Sequence, residues 1–250
     1  VQLSHPGKQC PRGLNKETVA PSAIGFAPEM SAVFGTPREL REDEIYDLIR
    51  RFGESARICK KAGFEGVQIH GAHGYLVSEF LSPKHNQRTD QWGGSLENRA
   101  RLLIETIRAT RAVVGPDFPI GVKLNSADFQ KGGFAFEDCL RLVEWLNDEG
   151  VDLLEISGGS YEQPSMMGLD GILEPTLDSD KRESTKAREA YFTRYAAAVA
   201  KVAKMPLMVT GGFRTAAFMR ESLRDDEVDV IGIARPFCLE PDLARQLLSG

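Results

Sequence analysis

The sequence predicts an α/β protein of the (β/α)8 TIM-barrel class, with six of the eight βα units carried by its 250 residues. Three observations predict it. Short runs nearly continuous in Val, Ile and Leu recur along the chain, as expected of strands buried on both faces in a parallel sheet. Between them lie amphipathic stretches at helical spacing, the alternation that βαβ units require. The richest cluster of chemistry-bearing residues follows one of these runs, where a parallel barrel keeps its active site.

Taken in order, residues 1–3 read as a strand that starts without lead-in or initiator methionine. The chain is therefore expected to be part of a longer protein, and its six strands are two short of a closed (β/α)8 barrel. Residues 4–40, rich in Pro, Gly and Ser, read as a long structureless excursion, a kind of loop that is usually functional. From Asp43 to Ala62, Ile45, Leu48, Ile49, Phe52, Ala56 and Cys59 recur with helical period, and Gly63 is placed to end the helix. Phe64 to His70 reads as a buried strand, followed by a loop to residue 95 and a helix over 97–114 capped by Ser95. Strands at 119–125, 152–157, 206–210 and 229–234 then alternate with helices at 135–148, 186–203, 215–224 and from Pro241, with another long loop at 158–184.

Side chains on a strand alternate between faces, so parity tests the barrel reading. Val67 and Ile69 oppose Gln68 and His70; Ile120, Val122 and Leu124 oppose Gly121, Lys123 and Asn125; Leu154 and Ile156 oppose Glu155 and Ser157. One face is apolar for helix packing and the other is polar and faces inward. A charge buried without a partner costs several kcal/mol, so Lys123 and Glu155 require a ligand or each other.

Composition bounds the function. A formal charge of −5 offers no basic face for nucleic acid, and no stretch approaches the ~20 apolar residues that span a bilayer. With no secretory signal in sight, the expected location is cytoplasmic. Cys10, Cys59, Cys139 and Cys238 are widely spaced and read as reduced thiols, Cys10 being the one in a loop. His70 and His73, three apart across a strand-to-loop turn, are able to converge on one acceptor atom, and Tyr75 follows them; no zinc-ligand spacing surrounds them, so no metal is expected.

The motifs VQLSHPGKQ, HGAHGY, FLSP, NQRTD, GGSLENR, GVKLNSADF, VTGGF and GIARPF, in this order across almost the whole chain, resemble the Old Yellow Enzyme family of FMN-dependent NAD(P)H oxidoreductases, or ene-reductases. The resemblance, which begins at what would be the third strand, implies one FMN-binding barrel domain over 1–250 carrying strands three to eight, incomplete at its N-terminus, where two units are expected to precede it, and cut at its C-terminus. It implies FMN as cofactor, NADPH or NADH as reductant, and an electron-poor alkene or a phenolic ligand as partner; a homo-oligomer is compatible with it. His70 and His73 would bind the carbonyl oxygen of an α,β-unsaturated substrate, and Tyr75 would protonate its α-carbon after hydride reaches the β-carbon. Gln2 would meet the pyrimidine edge of the flavin, and Lys123, where many relatives carry arginine, its N1 and O2. Gly211, Gly212, Gly232, Ala234 and Arg235 resemble the phosphate cradle built after a barrel's last two strands. Plainer roles stay open: an aromatic lid for Tyr75, a packing pair for Lys123 and Glu155, a surface ion pair for Arg235. So do two other functions, a flavin-free phosphate-binding lyase or isomerase and a non-catalytic truncated fragment.

Overall fold

A computed structural model describes residues 1–158, 195–211, 213, 215–224 and 228–249. Its strands are β1 (Gln2–Leu3), β2 (Val19–Ala20), β3 (Arg38–Glu39), β4 (Val67–Gly71), β5 (Ile120–Asn125), β6 (Leu153–Ser157), β7 (Leu207–Thr210) and β8 (Val230–Gly232). Its helices are α1 (Glu42–Lys61), α2 (Leu76–Leu81), α3 (Leu96–Val114), α4 (Phe136–Asp148), α5 (helical over 195–200), α6 (Ala216–Arg224) and α7 (Leu243–Ser249).

Six strands form one all-parallel sheet in the order β1-β4-β5-β6-β7-β8, the arrangement expected of six consecutive barrel strands. The outward side chains Ile69, Ile120, Val122, Leu124, Leu154 and Ile156 have no exposed surface, buried against the helical layer. Within that layer α1 lies close on α3, because Gly53 presents no side chain: a Cβ there would stand 3.2 Å from the Ala109 carbonyl oxygen. Helix α3 begins where Ser95 Oγ accepts the Asn98 N–H, and Gly115, at φ 83°, follows its end.

Several expectations need correction. Residues 64–66 precede the strand, and Phe64 is 53% exposed, because β4 gains a partner only from Val67, which pairs with Ile120. The 4–40 excursion is ordered by a second, two-stranded parallel ladder, β2 with β3, and by single turns of 3-10 helix at Gly7–Gln9 and Pro28–Met30. The loop expected over 71–95 contains α2, whose six residues are all buried. Its signal was present: Leu76, Val77, Phe80 and Leu81 have the i, i+1, i+4, i+5 spacing of a helix face. Strand β8 ends at Gly232, short of Ala234. The helix expected over 186–203 is seen at 195–200; its beginning, and the 158–184 loop beyond residue 158, lie outside the described residues.

Candidate active site

The candidate site starts where β4 ends. Val67 and Ile69 fix the strand against the helices, which sends Gln68 and His70 to the opposite face. The chain then turns through two successive left-handed residues, His73 at φ 63° and Gly74 at φ 73°, and re-enters extended geometry at Tyr75, the residue before α2. The turn gathers three rings. His70 and His73 stand edge-to-face with centroids 5.1 Å apart, and Tyr75 packs on His70 at 4.9 Å.

The bonding of the imidazoles defines what they can offer. The Ala72 N–H donates to His70 Nδ1 at 3.3 Å, which places the proton of the neutral ring on Nε2, where it is available to a ligand. His73 Nε2 lies 2.6 Å from Ser157 Oγ, a hydroxyl able to donate or accept. Burial, followed by the positive charge of Lys123, lowers the pKa of His70 to about 4 and that of His73 to about 3. Both rings are uncharged at neutral pH.

A polar row crosses the sheet beneath them. Register pairs Gln2 with Gln68, His70 with Lys123, and Lys123 with Glu155. The side chains follow: Gln2 Nε2 donates to Gln68 Oε1 at 2.6 Å, Gln68 Nε2 to Glu155 Oε2 at 2.7 Å, and Lys123 Nζ to Glu155 Oε1 at 2.7 Å. Lys123 and Glu155 keep only 12% and 6% of their side-chain surface, so this is a buried ion pair. Burial opposes ionisation of Glu155, yet the hydrogen bonds led by that from Lys123 outweigh it and hold the carboxyl below its usual value. The expected partnership of Lys123 and Glu155 is therefore present, and Gln2 is drawn into the same network through Gln68.

The expected phosphate cradle is less united. Gly211 follows β7 at φ 94° with open space where a Cβ would stand, and its N–H donates to the Gly232 carbonyl. Gly232 has a packing reason of its own, since a Cβ there would collide with Thr210 Oγ1. Ala234 and Arg235 are exposed, and Gly212 lies outside the described residues. Sequence parity turned Gln68, Asn125 and Ser157 inward without giving them a role, and Gln9 was missed. Gln9 Nε2 donates to the His73 carbonyl at 2.8 Å, a contact between distant loops that no local pattern announces. Among the described residues no group of three or more His, Cys, Asp or Glu is placed to hold a metal ion.

Comparison with known proteins is consistent along the chain. The profile of the NADH:flavin oxidoreductase / NADH oxidase family matches residues 1–250. NADH-dependent flavin oxidoreductase iliE of Hypocrea jecorina is 39% identical over 99% of this chain and 64% of its own length. NADPH dehydrogenase of Bacillus velezensis is 32% identical over 98% of this chain and 64% of its own. Among solved structures, an Old Yellow Enzyme homologue from Zymomonas mobilis superposes with a TM-score of 0.76 at 29% identity, covering 99% of this chain and 66% of that one. A 2-naphthoyl-CoA reductase complex gives 0.81 at 29% identity over 94% of this chain and 33% of the other. The chain thus spans between about one third and two thirds of the length of these relatives.

Proposed function

This chain belongs to the NADH:flavin oxidoreductase / NADH oxidase family, and from that premise we propose that it acts as an FMN-dependent NAD(P)H oxidoreductase of Old Yellow Enzyme type, reducing the activated C=C bond of α,β-unsaturated carbonyl compounds. The observation that carries the reading is the cluster of two neutral imidazoles and a phenol at the carboxyl end of β4.

The residues present fit the cofactor. Among the described residues, one of the three N–H groups of the Lys123 ammonium is taken, by Glu155. The others, with the Gln2 amide at the far end of the row, suit the carbonyl-rich pyrimidine edge of a flavin, and the open space at Gly211 suits the approach of a phosphate. FMN, when bound, supplies the hydride that NADH or NADPH has delivered to it.

Everything else falls to side chains. His70, through Nε2–H, and His73 beside it hold the carbonyl oxygen of the substrate and stabilise the negative charge that grows there as its β-carbon is reduced. Being neutral, they donate hydrogen bonds without surrendering a proton at pH 7. Tyr75, through its phenolic hydroxyl, gives a proton to the α-carbon. The flavin-free lyase or isomerase reading would spend Lys123 on proton transfer, whereas its ammonium is ion-paired with Glu155.

The test begins with the visible spectrum of the holoenzyme, titrated with a para-substituted phenol, whose phenolate imitates the charged oxygen. A flavin band that gains long-wavelength absorption on phenol addition is expected. In the double variant His70→Ala, His73→Ala the flavin should stay and the phenol response vanish, and loss of one such donor alone should cost roughly 100- to 1000-fold in kcat. A protein that stays colourless after reconstitution, or a double variant that still binds phenol, overturns the proposal.

A further inference from the structure

We infer that Asn125, buttressed by Asp128, is a positioning residue that holds His73 in its left-handed backbone conformation and so aims the second imidazole at the substrate oxygen. This rests on the proposed role of His70 and His73 as carbonyl donors. A side chain at φ 63° is strained, and such a residue persists only where its surroundings over-determine it. His73 meets that condition at three points. Its N–H donates to Asn125 Oδ1 at 3.1 Å, its carbonyl accepts from Gln9 Nε2, and its ring meets Ser157 Oγ. Of these, the Asn125 bond fixes the peptide that sets φ.

Asn125 is itself held. It is the last residue of β5 and 1% exposed, and its Nδ2 donates to Asp128 Oδ1 at 3.2 Å. This fixes which end of the amide faces His73, because a carboxylate accepts only the NH2 group. Asp128, also buried, accepts the Phe134 N–H on its other oxygen at 2.9 Å. The Asp128 N–H donates to the Phe134 carbonyl at 3.0 Å, closing the loop on itself. Gly133 is required beside it, since a Cβ there would stand 2.9 Å from Asp128 Cβ and Oδ2. The loop after β5 is thus built to present one amide oxygen to the turn after β4. Asn125 and Asp128 touch no reacting atom in this arrangement; they act through His73.

The experiment measures the dissociation constant of a para-substituted phenol for the FMN holoenzyme, with flavin content as the control for folding. Asn125→Ala should weaken phenol binding by about tenfold or more while flavin is retained, the loss that goes with one misdirected hydrogen bond to a charged oxygen. Asn125→Asp, which keeps the oxygen for the His73 N–H and can share one proton with Asp128, should restore most of the affinity, which a general packing role would not do. In a His73→Ala background, Asn125→Ala should have no further effect. Should Asn125→Ala lose its flavin, Asn125→Ser, too short to reach His73, takes its place. Unchanged affinity in Asn125→Ala, or independent additive losses in the double variant, overturns the inference while leaving the proposed function standing. A wild-type enzyme that binds flavin but no phenol removes both.

Discussion

Glu155 is the residue on which the site's electrostatics turn. It neutralises Lys123, the cation that adds to burial in depressing both imidazoles, and it anchors Gln68, which in turn holds Gln2. Removing one member of a buried pair leaves the other desolvated and uncompensated, at a cost of about 3–5 kcal/mol. Glu155→Leu and Lys123→Met should each lower the denaturant midpoint of unfolding, and the double variant should be more stable than either single one; a double variant at the sum of the two losses would refute the coupling. This pair is half legible in the sequence, because parity turns Lys123 and Glu155 inward and burial then requires a ligand or each other, and the register of β5 and β6 brings them together. The partners of His73 were not. Asn125, Gln9 and Ser157 reach it from three separate segments, and only the register and loop geometry of the folded chain bring them together.

Among the elements, the segment before α1 shows how an irregular stretch becomes ordered. Arg88, with 5% of its side chain exposed, grips Asp90 with Nε and Nη2 and reaches the Leu40 carbonyl at 2.6 Å and the Pro21 carbonyl at 3.1 Å. It thereby pins the β2–β3 ladder to the loop that follows α2. A lysine is a point donor and lacks the planar fork, so Arg88→Lys should forfeit several charge-assisted bonds, worth about 2–3 kcal/mol or more in total. Lower thermal stability and faster proteolysis within 10–40 are the expected readouts; proteolysis at the wild-type rate would show that the ladder holds without this pin. Composition concealed this order, because a run rich in Pro, Gly and Ser has no period, and its structure comes from a guanidinium 48 residues beyond Leu40. Strands and long helices, whose apolar periodicity is local, were legible to within about three residues. Helix α2 carries the apolar spacing of a helix face in only six residues, too short a run to stand out from the loop around it.

At the scale of the whole molecule, the buried imidazoles make stability depend on pH. His70 and His73 are lowered to about 4 and 3, and His5 is also lowered, in each case chiefly by burial. The folded state therefore binds fewer protons than the unfolded chain, whose histidines titrate near 6.5. Stability should be level above pH 7 and fall as pH drops from about 6.5 toward 4, by up to about 1.4 kcal/mol per pH unit for each imidazole involved. Carboxylates held low by arginine, such as Glu44 beside Arg38, add losses of the same sign only below their ordinary range near 4.5, so the upper part of the window belongs to the histidines. Asp128, raised by burial, works in the opposite direction. Equilibrium unfolding in denaturant at pH 7.5, 6.5, 5.5 and 4.5 separates these contributions. Wild-type protein should lose stability at each step below 6.5, and the variant His70→Gln, His73→Gln should lose distinctly less between 6.5 and 4.5, since the two imidazoles lowered to about 4 and 3 are gone. A wild-type profile flat across that interval would mean that the rings accept protons in the folded state, and with that the argument for a neutral pair of donors at the substrate oxygen would fail.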